Sequence, residues 1–186
     1  MRHNTGSTAS ARRTWLWPLV VAAVVVILDQ AAKAWVWRTM GPVEGASMPL
    51  LGSWLRLTLV YNTGVAFGLF QNIPYLFTIL PVVISAGALY FYAYHLPHDR
   101  PLIQVCVGMI VGGAIGNIID RLRLGFVIDF IHVTWFPGIF NVADSGITVG
   151  VIALAVYLLI AGDDIAADKD APNDNALLSD LLGHDQ

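Results

Sequence analysis

Two aspartates in the second half of the chain are the residues best suited to chemistry. Asp129 and Asp144 lie in a polar stretch between two apolar runs, each long enough to cross a membrane. Ionisable groups at that depth cost free energy, so their presence indicates a function. Two facing carboxylates can activate a water molecule, because an ionised one takes its proton while a protonated one polarises a carbonyl.

The chain between these aspartates decides whether they can cooperate. On one continuous helix, their separation of fifteen residues would place them roughly 22 Å apart. Segment 135–138, Trp-Phe-Pro-Gly, is a strong turn signal, and a chain reversal there would bring Asp129 back to face Asp144. We therefore predict a two-aspartate site, with Asp144 at the N-cap of the next helix. Helix capping alone is the alternative explanation for Asp144.

The composition places the site in a membrane protein. The chain has 186 residues, of which 56% are hydrophobic and 12% charged, and its mean hydropathy is +0.66. These values are too apolar for an ordinary soluble domain of this length. The net charge of −3 gives no support to nucleic-acid binding. The single cysteine, Cys106, allows no intrachain disulfide and is interpreted as a packing residue.

The apolar runs predict an all-α integral membrane protein with four transmembrane helices. These spans are expected at about 15–37, 73–94, 102–119 and 145–162, which together make one membrane domain over residues 15–162. Residues 1–14 are predicted to form a disordered cytoplasmic leader. The acidic segment 163–186 is predicted to be a disordered cytoplasmic tail.

A small β-strand cradle outside the membrane is predicted after the first helix. Segment 40–49 has the composition of a loop, and segment 54–61 alternates like a strand with one apolar face. A turn at 62–64 leads to 65–70 as a second strand. Four spans place both termini on one side of the membrane, and the arginines near the termini favour the cytoplasm for that side.

Several other residues have a structural explanation beside a functional one. Gly108, Gly112 and Gly116 recur every four residues, which predicts close packing against another helix. Asp29 and Lys33 have the spacing of an ion pair within one helix. A second group has the composition of a turn or of a polar helix cap, namely Asn62 and Gly64 in the turn and Asn117, Asp120 and Arg121 on one helical face.

Five sequence blocks, in this order, resemble those of the bacterial lipoprotein signal peptidases, the signal peptidase II family. The resemblance extends along nearly the whole predicted membrane domain. The blocks are Asp29-Gln30-x-x-Lys33, Asn62-x-Gly64-x-Ala66-Phe67, Gly112-Gly113-x-x-Gly116-Asn117-x-x-Asp120-Arg121, Val127-Ile128-Asp129-Phe130 and Phe140-Asn141-x-Ala143-Asp144.

The resemblance implies an aspartic endopeptidase of the bacterial inner membrane, with its active site near the outer face. It implies Asp129 and Asp144 as the catalytic pair and removal of the signal peptide from diacylglyceryl-modified prolipoproteins, before the lipidated cysteine. Membrane lipids are the other expected partners, the enzyme is expected to be monomeric, and no metal or organic cofactor is implied. The residues expected to bind or orient substrate are Asn62, Gly64, Asn117, Arg121 and Asn141, and those expected to give structural support are Asp29, Lys33 and Asp120.

Two other functions would use the same acids. A metal-dependent lipid phosphatase or hydrolase would hold a divalent cation between Asp120, Asp129 and Asp144. A small proton-coupled transporter would use them as a proton relay. Sensitivity to chelators would indicate the phosphatase, and substrate flux without a cleaved product would indicate the transporter.

Overall fold

The computed structural model describes residues 6–64 and 76–170, with side chains over 14–64 and 79–161. The chain divides into two compact units, Met1–Leu154 and Ala155–Gln186. The first unit holds the sheet and the site described below, and the second holds the C-terminal part of the last helix. The elements in chain order are α1 (Gly6–Met40), β1 (Ser47–Leu51), β2 (Leu55–Asn62), α2 (Leu76–Tyr94), α3 (Pro101–Leu124), β3 (Val127–Val133), β4 (Ile139–Phe140) and α4 (Val142–Asp170).

Three helices in the described part of the chain are long and apolar enough to cross a membrane. Their spans are Thr14–Met40, Pro101–Leu124 and Val142–Ala161. In the α2 region, the apolar helix described with its side chains is shorter, Ile79–Tyr94, and the predicted span 73–94 begins outside the described residues. The structure therefore establishes a membrane protein with three such helices, and the fourth crossing stays a prediction.

Glycines on α3 let it approach α1 and α4 closely. A Cβ atom added to Gly112 would lie 2.6 Å from the carbonyl oxygen of Ala22 and 2.8 Å from its Cα. One added to Gly108 would lie 2.7 Å from the carbonyl oxygen of Pro18, and one added to Gly113 would overlap the carbonyl oxygen of Ala143. The prediction that the glycine stripe packs against another helix is confirmed, because only glycine fits these contacts.

The sheet is antiparallel and has the strand order β1-β2-β3-β4. The predicted strand 54–61 is present as β2, whereas the predicted loop 40–49 is wrong from Ser47 onward, where β1 begins. Pro49 is tolerated there because β1 is an edge strand, on which a missing N–H breaks no necessary pairing. The prediction placed the whole cradle in the segment after the first helix. Only β1 and β2 come from that segment, and β3 and β4 come from the chain between α3 and α4. The predicted strand 65–70 lies outside the described residues.

Both terminal helices extend further than the sequence predicted. α1 begins at Gly6, so the disordered leader is wrong for residues 6–14, and α4 continues to Asp170, so the disordered tail is wrong for residues 163–170. Each of these segments contains two alanines, and each continues a helix that the apolar span has already nucleated, so the cost of extension is small. Residues 1–5 and 171–186 lie outside the described residues.

The sheet packs against the end of α1 through an apolar cluster. Its buried members are Val36 from α1, Leu57 and Leu59 from β2, and Ile128 and Phe130 from β3. This cluster fixes β3 beside β2, in a register that pairs Val60 with Asp129 and Asn62 with Val127. The first predicted catalytic aspartate is thereby held on a strand whose neighbours are buried in the core.

Candidate active site

Asp129 projects from the buried first half of β3, where its side chain is shielded from solvent. Its residue is 1% exposed. The Asn62 amide, Nδ2, donates to one carboxyl oxygen at 2.8 Å, and the Asn141 amide donates to the other at 2.7 Å. The strand pairing places Asn62 diagonally across from Asp129, a distance that a side chain spans. Both oxygens of this aspartate are therefore positioned by asparagines from two different segments.

Asp144 lies in the first turn of α4, although it is not the N-cap residue. The helix begins at Val142, so Asn141 occupies the N-cap position and Asp144 is the third helical residue. The main-chain N–H of Asp144 donates to Asn141 Oδ1 at 2.9 Å, and the main-chain N–H of Asn141 donates to Asp144 Oδ2 at 3.2 Å. These reciprocal bonds form a capping box. The predicted N-cap role of Asp144 is wrong because Asn141, three residues earlier, is an equally good cap and the helix begins directly after it.

The turn between β3 and β4 brings the two aspartates to one place, as the sequence predicted. β3 pairs with β4 antiparallel, His132 with Ile139 and Ile131 with Phe140. Asn141 follows β4 directly and contacts both carboxyl groups, through its side chain for Asp129 and its main chain for Asp144. A single residue thus bridges the pair.

The local electrostatics favour one shared proton. Burial, followed by the charge of Asp144, raises the pKa of Asp129 to about 7, against the opposing effects of Asn62, Asn141 and Lys33. Asp144 lies in the first turn of α4, at the positive end of the helix dipole. A protonated Asp129 beside an ionised Asp144 is the arrangement that activates water for attack on a carbonyl.

A buried ion cluster lies behind the pair. The Lys33 ammonium is 2.7 Å from an oxygen of Asp29 and 2.8 Å from one of Asp120. Asp29 also accepts from the main-chain amide of Ala143 at 2.9 Å, and Asp120 accepts from that of Ile128 at 3.2 Å. The predicted pair of Asp29 and Lys33 is present, and the cluster ties α1 to the residues that precede both catalytic candidates on the sheet and on α4.

Groups that can only donate hydrogen bonds set the direction of every asparagine in the site. Lys33 donates to Asn117 Oδ1 at 3.2 Å, which turns the Asn117 amide toward Asp144 at 2.7 Å. The Gly64 main-chain amide donates to Asn62 Oδ1 at 2.8 Å, which turns the Asn62 amide toward Asp129. Since an ammonium and a main-chain N–H accept no hydrogen bond, the amide N–H groups face the aspartates.

The remaining predicted residues lie close by, with different surroundings. Gly64 has a positive φ of 100°, which a glycine adopts without strain, so it shapes the turn that orients Asn62. Arg121 is half-buried on α3, and its charge interacts with those of Asp144, Asp129 and Asp120. Asp29, Lys33 and Asp120 form the buried ion cluster behind the pair, and the structural role expected for them stays a prediction.

Gln30 is a member of the cluster that sequence reasoning missed. Its amide, Nε2, donates to Asp120 at 2.9 Å and is 3.2 Å from Asp29 and 3.3 Å from the carbonyl oxygen of Gly116. Its place beside Asp29 in the first sequence block was the signal that could have found it. Without it, the second oxygen of Asp120 would lack this donor.

Two clefts flank the aspartate pair. An apolar cleft of about 380 Å³ adjoins Asp144 and is lined mainly by Val133, Trp135, Phe136, Phe140 and Val149. A more polar cleft of about 740 Å³ adjoins Asp129 and includes Asn62, Thr63, His132 and Thr134 in its lining. Phe136 lines both clefts, so one bound molecule could place an apolar part on one side of the pair and a polar part on the other.

A site of one buried and one half-buried carboxyl group, set between clefts on a bundle of apolar helices, defines a membrane-embedded enzyme. Solved structures agree with this class. Two described as bacterial membrane enzymes resemble the chain with TM-scores of 0.67 and 0.65. The first is 31% identical in sequence, and the match covers 84% of this chain and 93% of that structure's chain. The second is 32% identical, and the match covers 76% of this chain and 92% of that structure's chain.

The chain belongs to the signal peptidase II family, whose model matches residues 21–160 under the description Signal peptidase (SPase) II. A lipoprotein signal peptidase of Moorella thermoacetica is 42% identical over 142 residues, covering 76% of this chain and 92% of that protein. One of Caulobacter vibrioides is 44% identical over 157 residues, covering 80% and 89%. The family consists of aspartic peptidases that remove signal peptides from prolipoproteins, so the resemblance found in the five sequence blocks is confirmed.

Proposed function

We propose that Asp129 and Asp144 form the catalytic pair of this peptidase. The observation that carries the proposal is the bridge made by Asn141, which contacts both carboxyl groups at once. The raised pKa of Asp129 adds support, since it supplies the one protonated carboxyl that the chemistry requires.

The mechanism follows from the protonation states of the pair. Asp144 takes a proton from a water molecule while Asp129 donates its proton to the oxygen of the scissile carbonyl. The water oxygen bonds to the carbonyl carbon and gives a tetrahedral intermediate. When this collapses, the carbon–nitrogen bond breaks, the proton on Asp144 passes to the departing nitrogen, and Asp129 recovers its proton from the intermediate.

The two clefts suit a substrate with a lipid and a peptide part. We assign diacylglyceryl-modified prolipoproteins as substrates, cut before the lipidated cysteine. The apolar cleft beside Asp144 fits hydrocarbon, and the polar cleft beside Asp129 offers hydrogen-bonding partners to an extended peptide. Asn62, Asn117 and Asn141 orient the pair through the bonds described above.

The test is cleavage of a lipidated proform by the purified protein and its variants. Asp129→Asn and Asp144→Asn keep the shape of each side chain but cannot exchange a proton, so each should lower turnover by at least about a hundredfold. Asp99→Asn is the matched control, because the Asp99 side chain is 80% exposed and lies far along the chain from the pair. If either asparagine variant at the site kept a tenth of wild-type cleavage, the two-aspartate mechanism would be wrong.

The phosphatase hypothesis has less support from the geometry. It requires Asp120 as a third metal ligand beside Asp129 and Asp144. One oxygen of Asp120 accepts a hydrogen bond from Gln30, and the other accepts one from the Ile128 main-chain amide and pairs with the Lys33 ammonium, so both oxygens already have partners. Cleavage should therefore persist in the presence of a chelator. Activity lost to a chelator and restored by a divalent cation would favour the phosphatase instead.

The proposed placement has four transmembrane helices in the bacterial inner membrane, both termini in the cytoplasm and the site near the outer face, in a monomer that contacts membrane lipids. Its test is labelling of single cysteines in a Cys106→Ala background by a reagent that does not cross membranes. A cysteine at Ser53 should react from outside and one at Ala167 from the cytoplasm. Outward labelling at Ala167 would overturn this topology.

A further inference from the structure

A chain of hydrogen bonds on the β-sheet ends at a histidine that lines the polar cleft. The Arg56 guanidinium, through Nε, donates to the Ser47 hydroxyl at 3.0 Å, and the Ser47 and Thr58 hydroxyl oxygens are 2.8 Å apart. Thr58 Oγ1 is in turn 2.9 Å from Nδ1 of His132. His132 lines the same cleft as Asn62 and Asp129. Nothing in the proposed mechanism uses this chain.

The order of donors along these hydrogen bonds favours one tautomer of the histidine. Arg56 can only donate, so the Ser47 oxygen accepts its bond and the Ser47 hydrogen is free to point to Thr58. The Thr58 hydrogen then points to His132 Nδ1, which must carry a lone pair to accept it. With the hydroxyl hydrogens pointing from Ser47 to Thr58 and from Thr58 to His132, both of them take part in hydrogen bonds of this series. In the opposite arrangement, with Nδ1–H donating to Thr58 and Thr58 donating to Ser47, the Ser47 hydroxyl hydrogen has no partner within the series. In the first arrangement, the His132 ring carries a proton on Nε2.

We propose that His132 is a substrate-binding residue, whose Nε2–H donates a hydrogen bond to a main-chain carbonyl of the peptide in the polar cleft. The inference rests on the proposed peptidase function. Nδ1 is bound by Thr58, so Nε2 is the ring nitrogen that a bound peptide can reach. A main-chain carbonyl is present at every residue of an extended peptide, and such a contact holds its register without selecting a side chain. The contact would fix the peptide near Asp129 while the lipid occupies the apolar side.

The kinetic test compares three variants in the lipidated proform assay. His132→Leu should raise KM about tenfold with kcat within about twofold, the loss expected when one hydrogen bond to bound substrate is removed. His132→Gln should restore KM to within about threefold of wild type, because its side-chain amide reaches as far as Nε2 and also donates. His95→Leu is the matched control, since His95 is exposed at the end of α2 and should leave both constants unchanged.

The tautomer test is independent of catalysis. In protein labelled with ¹⁵N-histidine, the signals of His132 are found by their loss in His132→Gln among the five histidines of the chain. The expected pattern is an unprotonated Nδ1 and a protonated Nε2, and Thr58→Val should abolish this preference. A protonated Nδ1 in wild type would overturn the proposal, even if the leucine variant fails to fold.

The outcomes separate this inference from the proposed function. If the wild-type protein cleaves no lipidated proform, the peptidase function fails for this chain, whatever the tautomer. If wild type cleaves and His132→Leu leaves KM unchanged, or the glutamine variant is no better than leucine, the substrate-binding role is wrong and the catalytic pair stands. A fall in kcat alone would also contradict it.

Discussion

Replacing Asp129 by asparagine should change how the stability of the protein depends on pH. Burial and the charge of Asp144 raise the pKa of Asp129 from 3.8 to about 7. A raised pKa means that the folded protein holds this proton more tightly than the unfolded chain, so stability is lost as pH rises from about 4 to about 7. A shift of about three units corresponds to roughly 4 kcal/mol at 1.36 kcal/mol per unit.

The Asp129→Asn variant cannot ionise at this position and should lack that loss. The substitution also places an amide against the amides of Asn62 and Asn141, but this cost does not vary with pH. The quantity to measure is therefore the difference in unfolding free energy between wild type and variant, in one detergent, at several values between pH 5 and pH 8. The difference should shift in favour of the variant by about 2.5 kcal/mol across this range, because part of the loss has already occurred below pH 5.

A second variant tests the cause of the shift. Asp144→Asn removes the neighbouring charge but leaves the burial, which is the larger cause. The pH-dependent loss should therefore become smaller in this variant without disappearing. Asp99→Asn, at an exposed position, should behave as wild type. The reasoning is refuted if the difference between wild type and Asp129→Asn stays constant within about 1 kcal/mol from pH 5 to pH 8.

Three further changes test the scaffold. Gly112→Leu should abolish the folded protein, measured as yield and melting temperature, because even a Cβ there would overlap the Ala22 backbone. Gly87→Leu is the control and should fold normally, because a Cβ added to Gly87 meets nothing within 4 Å. Lys33→Met should destabilise the protein by about 3–5 kcal/mol, because it leaves buried carboxylates without their cation; unfolding at wild-type denaturant concentration would contradict this. Truncation after Gly162 should leave cleavage per folded molecule unchanged, and a loss of most turnover would give the C-terminal segment a role in catalysis.

The aspartate pair and the turn that joins its members were accessible from the sequence. The Pro-Gly signal at 135–138 and the polarity of the surrounding stretch each have a local physical meaning, so both could be predicted. The start of α4 could not be placed as well, because Asn141 and Asp144 are both good N-terminal helix residues. Only the main-chain geometry shows that the two act together as a capping box.

The sheet shows what a local pattern leaves out. β2 alternates clearly and was predicted, whereas β1 contains Pro49 and becomes a strand only by pairing with β2. The pairing of β2 with β3 joins segments that are more than sixty residues apart in the chain. The hydrophobic pattern within one strand does not predict which distant strand it pairs with. The same holds for Gln30, whose contacts with Asp120 and Gly116 lie on another helix.

The capping box at the start of α4 couples the stability of the first helical turn to the protonation of Asp144. In the proposed mechanism Asp144 becomes neutral once in each turnover, and a neutral side chain loses the interaction with the helix dipole that is worth about 0.3–1 kcal/mol. The bond from the Asn141 amide to Asp144 weakens at the same moment. Opening of this first turn is thereby coupled to proton transfer, so hydrogen exchange at the Asn141 amide follows the protonation of Asp144 without a probe in the substrate. An inhibitor that holds Asp144 ionised would slow that exchange, and one that protonates it would speed it.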